Sequence, residues 1–152
     1  MIYVECKPDR ALVESITNIP KRGIIHESGK SRVCGKLAKQ RNCKGLADKD
    51  PLSIQHPYMK KLRLEDDLSQ QGIKIFHDET NMNSLFVLCP RLEDWILKAA
   101  EESKLNMGKY SLPSTPIKLH RVINLDLDKF ERLLTDLRDS ERLKTLRKLL
   151  EG

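Results

Sequence analysis

Three short apolar runs, each ending in polar residues, constrain this chain more than anything else in it. Ile2-Tyr3-Val4, Gly23-Ile24-Ile25-His26-Glu27 and residues 43–47 read as strands, because they are apolar or β-branched and end in turn-forming or charged residues. Between the first two, Pro8 and Asp9 open a helix that runs to about Ile16. Proline suits a first helical turn, and aspartate favours the positive helix start. Ala11, Leu12, Val13 and Ile16 give that helix a buried stripe. Ile19-Pro20 breaks it. Ser28-Gly29-Lys30-Ser31 forms a turn, and a helix over 32–40 turns Val33, Cys34 and Leu37 inward. Strand, helix, strand, helix, strand is the order of a parallel sheet with right-handed crossovers, so the expected class is α/β.

Beyond Pro51, which cannot continue a central strand, residues 52–71 are polar and basic and read as a loop with a short helix. The alternation in GIKIFHD (72–78) predicts a strand, Asn81-Met82-Asn83 a turn, and 84–89 a further strand, so these last two form a hairpin. A helix over 91–103 carries Leu92, Trp95, Ile96 and Ala99 on one face, with Trp95 as a core residue. Residues 104–117 are loop. A lead-in over 117–123 precedes helices at 126–138 and 140–150. The first shows helical spacing at Leu127, Phe130, Leu133, Leu134 and Leu137, and Ser140 caps the second. The expected organisation is an α/β domain over 1–103, mainly parallel with helices on both faces, and a loop and C-terminal helical appendage over 104–152 packed on it. A chain of 152 residues suits such a unit.

The net charge of +6 and pI of about 9.2 favour an anionic partner, with nucleic acid the first candidate, although many basic proteins bind nothing acidic. Cys6, Cys34, Cys43 and Cys89 form no C-x-x-C pair, which argues against a zinc ribbon. Cys6 and Cys89 adjoin strand residues and read as small core hydrophobes. The chain opens on a strand-like run rather than a signal peptide, and no apolar run approaches the roughly 20 residues of a membrane helix. A cytoplasmic protein with no membrane partner is the expectation.

The acids carry the chemistry. Glu5 directly follows the first strand; Asp48 and Asp50 follow the third. In a parallel sheet these are carboxyl ends on one edge, where such folds bind ligands. Asp48 and Asp50, two apart, can aim at one point while Lys49 points away. Converging carboxylates repel unless a hard divalent cation joins them, and oxygen ligands suit Mg²⁺ or Mn²⁺. Acids at strand ends also begin turns or cap helices, so each alone is a weak signal. Asp9, one helical turn after Glu5, either extends the site or answers the helix dipole. Ser28-Gly29-Lys30-Ser31 misses P-loop spacing, since Gly23 and Gly29 enclose five residues rather than four. Gly29 and Lys30 at a helix start can still meet a phosphate. His26, His56, His77 and His120 show no ligand spacing and read as ordinary surface or strand residues. Arg142, Lys144, Arg147 and Lys148 read as the wet face of the last helix, with a phosphate backbone as the other possible partner.

In this order the motifs resemble the Toprim domain of topoisomerases, primases and OLD-type nucleases. Val4-Glu5-Cys6-Lys7-Pro8-Asp9 is similar to the V-E-G-x-[ST]-[DE] opening of the OLD-type branch, His26-Glu27-Ser28-Gly29-Lys30-Ser31-Arg32-Val33 to its Gly-Lys segment, and Leu46-Ala47-Asp48-Lys49-Asp50-Pro51 to its Asp-x-Asp motif. The likeness covers residues 1–51 and extends loosely to about 100. Cys89-Pro90-Arg91-Leu92-Glu93-Asp94-Trp95 resembles a P-x-x-E-x-W segment of small Toprim-like proteins, which implies that Glu93 reaches the site; Glu93 reads equally as a first-turn dipole acid. The resemblance implies Mg²⁺-dependent phosphodiester hydrolysis on nucleic acid without sequence readout. Asp48 and Asp50 would hold the metal, Glu5 would share it or take a proton from water, and Lys30 would neutralise phosphate charge. Asp9 and Glu93 are additional candidates. Cys6 and Pro8 stand where that pattern carries Gly and Ser or Thr. They favour a rival reading, a non-catalytic metal-binding or interaction module of the same fold. A small-nucleotide phosphohydrolase using the same acids is a third. Nothing in the sequence supplies the second half of a topoisomerase or the template-binding parts of a primase.

Overall fold

The computed structural model describes residues 1–49 and 56–152. The expected strands and helices of the first 48 residues are present: β1 (Ile2–Val4), α1 (Lys7–Ile16), β2 (Ile24–His26), α2 (Lys30–Lys39) and β3 (Lys44–Asp48). Next come β4 (Arg63–Leu68), β5 (Ile73–Asp78), β6 (Asn83–Leu88) and α3 (Leu92–Glu102). Helices α4 (Pro116–Leu125), α5 (Leu127–Leu137) and α6 (Glu141–Glu151) complete the chain. Strand β4 lies where the sequence suggested loop and short helix. The short-helix part is observed just before it, as a 3₁₀ turn over Pro57–Lys61.

The protein is α/β, with a six-stranded sheet in the order β2-β1-β3-β6-β5-β4 flanked by six helices. The expectation of a mainly parallel sheet is corrected to a mixed one. β2, β1, β3 and β6 pair in parallel, whereas β6, β5 and β4 are joined by antiparallel pairing. The reason is the tight β5–β6 hairpin: β6 docks parallel to β3, so β5, one short turn before it, must run the other way.

Each strand sorts its side chains between two cores, as the period of two requires. On one face Ile2, Val4, Leu46, Phe86 and Leu88 meet Leu12 and Ile16 of α1, Trp95 and Ile96 of α3, and residues of α4, α5 and α6. On the other, Tyr3, Ala47, Leu85 and Val87 meet Val33 and Leu37 of α2 together with Tyr58 and Met59. Leu119, Ile123, Phe130, Leu133, Leu134, Leu137, Leu143 and Leu146 are all sealed from solvent. Each such side chain contributes roughly 1.5–3 kcal/mol. A helix cap is worth about 1 kcal/mol, so apolar burial is what holds α4–α6 to the first core. Lys44 adds a polar tie from β3, donating from Nζ to the carbonyls of Leu149 at 3.2 Å and Leu150 at 2.7 Å, where the end of α6 favours a cation.

Two residue-level expectations change. Arg142 does not lie on a wet face: it is buried, and its guanidinium donates to Glu102 and to the carbonyls of Gln70 and Gln71. Among the cysteines, Cys34 and Cys43 are the buried pair, while Cys6 and Cys89 are partly exposed. Trp95 is core as expected, and its indole N–H donates to the Gln71 carbonyl at 2.6 Å. No described helix is long and apolar enough to cross a membrane.

Candidate metal centre

The parallel pairing of β1 with β3 sets Val4 opposite Leu46, so both strands end at the same edge of the sheet. Glu5 leaves the end of β1 there. Asp48 is two residues beyond Leu46 and shares its face, which is the face covered by α1. Asp9 sits in the first turn of α1 and meets them from that side. Carboxylate oxygens of Glu5, Asp9 and Asp48 all lie within 4.8 Å of one another. Asp50 lies outside the described residues.

Asp9 is fully sealed from solvent, and neither of its oxygens has a hydrogen-bond partner among the described residues. Asp48 Oδ1 is likewise buried and unpartnered. Burial pushes the Asp9 carboxyl well above the usual range, the charges of Asp48 and Glu5 push it further, the Cys6 thiol pulls the other way, and Glu93 adds to the rise. Burial likewise raises Asp48 to about 6. The Leu92 backbone N–H pulls it down, Glu93 pushes it up, and Lys30 and His120 lower it. The Cys6 thiol is pushed far up by burial and by Asp9, so it is neither a ready nucleophile nor a ready thiolate ligand.

These residues fit a hard divalent cation. Unpartnered buried carboxylate oxygens cost free energy until something positive meets them. Three oxygen donors from three separate elements match Mg²⁺ or Mn²⁺ better than a softer metal.

Glu5 and Asp48 line a cleft of about 790 Å³, with Asp9 buried behind them. Three helices start at its walls. Gly29, Lys30 and Ser31 begin α2, Arg91 and Glu93 frame the start of α3, and Pro116 and Ile117 begin α4. Helix starts present free backbone N–H groups and attract anions. Gly29 has φ of +96°, a conformation that a residue with a Cβ resists, and it turns the chain from β2 into α2 beside Lys30. Lys30, Arg91 and Arg121 add positive charge to the same walls.

Glu93 enters this cleft, but its hydrogen bond is to His120: Oε1 lies 2.7 Å from His120 Nδ1. The Glu93 side chain is 7% exposed and that of His120 is 64% exposed. His56 lines the cleft too, its Nδ1 accepting from the Tyr58 N–H at 3.1 Å. The sequence reading thus expected Glu5, Lys30 and Asp48 at this cleft and left Asp9 and Glu93 open. It missed His56, His120 and Arg121. No local spacing marks those residues, because only the docking of α4 and of the 57–61 turn brings them here.

The chain matches no family model, no curated protein and no solved structure.

Proposed function

We propose that this protein is a divalent-cation-dependent phosphoesterase acting on the phosphodiesters of nucleic acid. One observation carries the reading: a fully buried, unpartnered Asp9 carboxylate converges with Glu5 and Asp48 beside a cleft walled by helix starts and basic side chains. A site with an unmet demand for a cation, next to walls that favour an anion, suits a metal–phosphate pair.

Glu5, Asp9 and Asp48 would hold Mg²⁺ or Mn²⁺. When bound, the cation polarises a phosphoryl oxygen and offsets the charge that builds on it. Lys30 and the first N–H groups of α2 face the same space and neutralise the other phosphoryl oxygens. Arg91 and Arg121 are exposed on the rim, where they can grip a backbone without reading its sequence. The net charge of +6 supports a polyanionic substrate. The size of the cleft favours a second substrate, a single nucleotide, since pockets of 300–1,000 Å³ suit ligands of that class.

The test incubates the protein with Mg²⁺ or Mn²⁺ and single-stranded DNA, duplex DNA, RNA or free nucleotides. Wild type should hydrolyse at least one of these, EDTA should stop it, and Asp48→Asn and Asp9→Asn should each remove both turnover and Mn²⁺ binding by calorimetry. Cleavage of nucleotides alone selects the second substrate. Mn²⁺ binding without any hydrolysis selects a non-catalytic metal-binding module. Absence of Mn²⁺ binding removes the reading altogether.

A further inference from the structure

We infer that His120, oriented by Glu93, is the general base that takes the proton from the attacking water. The inference rests on the phosphoesterase reading and assigns a residue that the three-acid cluster does not supply. With Glu5, Asp9 and Asp48 committed to the cation, the described residues of the cleft offer few proton acceptors. Lys30, Arg91 and Arg121 are cations and only donate. Glu93 is engaged with His120. The histidines remain, and their hydrogen bonds assign them different roles.

His56 Nδ1 accepts from the Tyr58 backbone N–H, so a neutral His56 carries its hydrogen on Nε2 and offers the cleft a donor. His120 has the opposite tautomer. Its Nδ1 lies 2.7 Å from a carboxylate oxygen, which accepts, so Nδ1 holds the hydrogen and Nε2 keeps its lone pair on a ring that lines the cleft. The Asn124 side-chain amide is 3.4 Å from Nδ1, but its shorter bond, 2.7 Å, is to the His120 carbonyl. Burial of Glu93 fixes the anchor, while exposure of His120 leaves its far nitrogen accessible to water. This is the arrangement of a nucleophile-activating pair, in which the carboxylate sets ring orientation and stabilises the imidazolium that forms.

In the step, a water O–H bond breaks as the water oxygen bonds to phosphorus, and the proton passes to His120 Nε2. The bond from phosphorus to the leaving oxygen breaks, the electron pair departs with that oxygen, and solvent protonates it. Protonated His120 returns its proton to solvent, with Glu93 and the nearby Asp48 as its acidic neighbours and Lys118 and Arg121 as the cations that share its helix.

The experiment measures kcat, KM, Mn²⁺ affinity and thermal stability for wild type, His120→Ala and Glu93→Gln, with and without added imidazole. His120→Ala should lose roughly 10²–10⁴-fold in kcat, keep KM and Mn²⁺ affinity, and regain kcat as imidazole is added. Glu93→Gln, which can still accept the Nδ1 hydrogen, should lose only about 10–100-fold. Full activity in His120→Ala overturns the inference and leaves the phosphoesterase reading standing. Lost Mn²⁺ affinity makes His120 a ligand instead, and lost kcat without imidazole rescue makes it a structural or substrate-binding residue; either overturns the base. A wild type that binds Mn²⁺ and hydrolyses nothing overturns the phosphoesterase reading, and the base with it.

Discussion

Replacing Asp48 with asparagine should make the cation-free protein more stable. Asp48 is raised from 3.8 to about 6, chiefly by burial. At about 1.36 kcal/mol per pKa unit, keeping it ionised at pH 7.5 costs the folded state on the order of 3 kcal/mol. A carboxyl whose folded pKa lies above its unfolded one favours folding while it holds its proton. That contribution is present below pH 3.8 and lost as pH climbs through about 6. Wild type in EDTA should therefore weaken steadily between about pH 4 and pH 6.5. Asparagine has nearly the same shape, carries no charge, and can still accept the Leu92 N–H. Its amide N–H groups will find imperfect partners beside Asp9, so the net gain should be about 1–3 kcal/mol. For a chain of this size that is a rise of roughly 3–9 °C in Tm.

The assay is thermal unfolding by circular dichroism at pH 7.5 and pH 4.5, in EDTA and in Mn²⁺. In EDTA at pH 7.5 the variant should melt above wild type, and its advantage should shrink at pH 4.5. Excess Mn²⁺ should reverse the order, because only wild type binds it; a cation at about 1,000 times its Kd adds about 4.1 kcal/mol. A variant that melts below wild type in EDTA at pH 7.5 would show that the protein itself satisfies ionised Asp48. An equal Mn²⁺ gain in both proteins would place the cation elsewhere. Either result refutes the electrostatic reasoning.

Cation binding should release protons, since Asp9 and Asp48 both hold theirs more tightly than ordinary carboxylates. At pH 6 Asp48 alone should give up about half a proton, seen as a dependence of the Mn²⁺ binding enthalpy on the ionisation enthalpy of the buffer. Arg142→Ala should cost about 2–3 kcal/mol, or roughly 6–9 °C in Tm, because it strips partners from the carbonyls of Gln70 and Gln71 and from Glu102. Gly72→Ala should cost about 2–4 kcal/mol in the same melts: its φ is +65°, and a Cβ there would stand 2.6 Å from Arg142 Nη1 and 2.9 Å from Trp95 Cδ1.

Local periodicity made much of the fold legible. Leu12 and Ile16 on α1, Val33 and Leu37 on α2, and Leu92 and Ile96 on α3 each repeat at helical spacing, and each is buried as that spacing implies. Strand β4 escaped the same reasoning for a physical reason. Its sequence, RLEDDL, is exposed on almost every residue, so neither face needs to be apolar and no alternation marks it. Backbone pairing to β5 makes it a strand, and charges with a register shift near Asp66 are what an open sheet edge tolerates. The direction of β5 was implicit in the expected hairpin. What the sequence did not reveal was that β6 would dock on β3, which makes the sheet mixed.

The acids show where such legibility ends. Glu5 and Asp48 could be paired because each follows a strand and the strands were expected to be parallel, so their neighbourhood follows from topology alone. Asp9 could not be settled from sequence. A first-turn aspartate that answers a helix dipole and one that faces a buried cluster have the same local sequence, and what separates them is burial, complete here, on an α1 whose apolar stripe packs into the first core. His120 was further out of reach, since its partner Glu93 lies 27 residues earlier in the chain and α4 meets α3 only through the packing of the first core. The apolar positions of α4, Leu119 and Ile123, drive that docking, and His120 follows Leu119 directly. The core that seals Leu119 therefore also sets the histidine at the rim of the acid cluster, so a substitution at Leu119 should disturb turnover as well as stability.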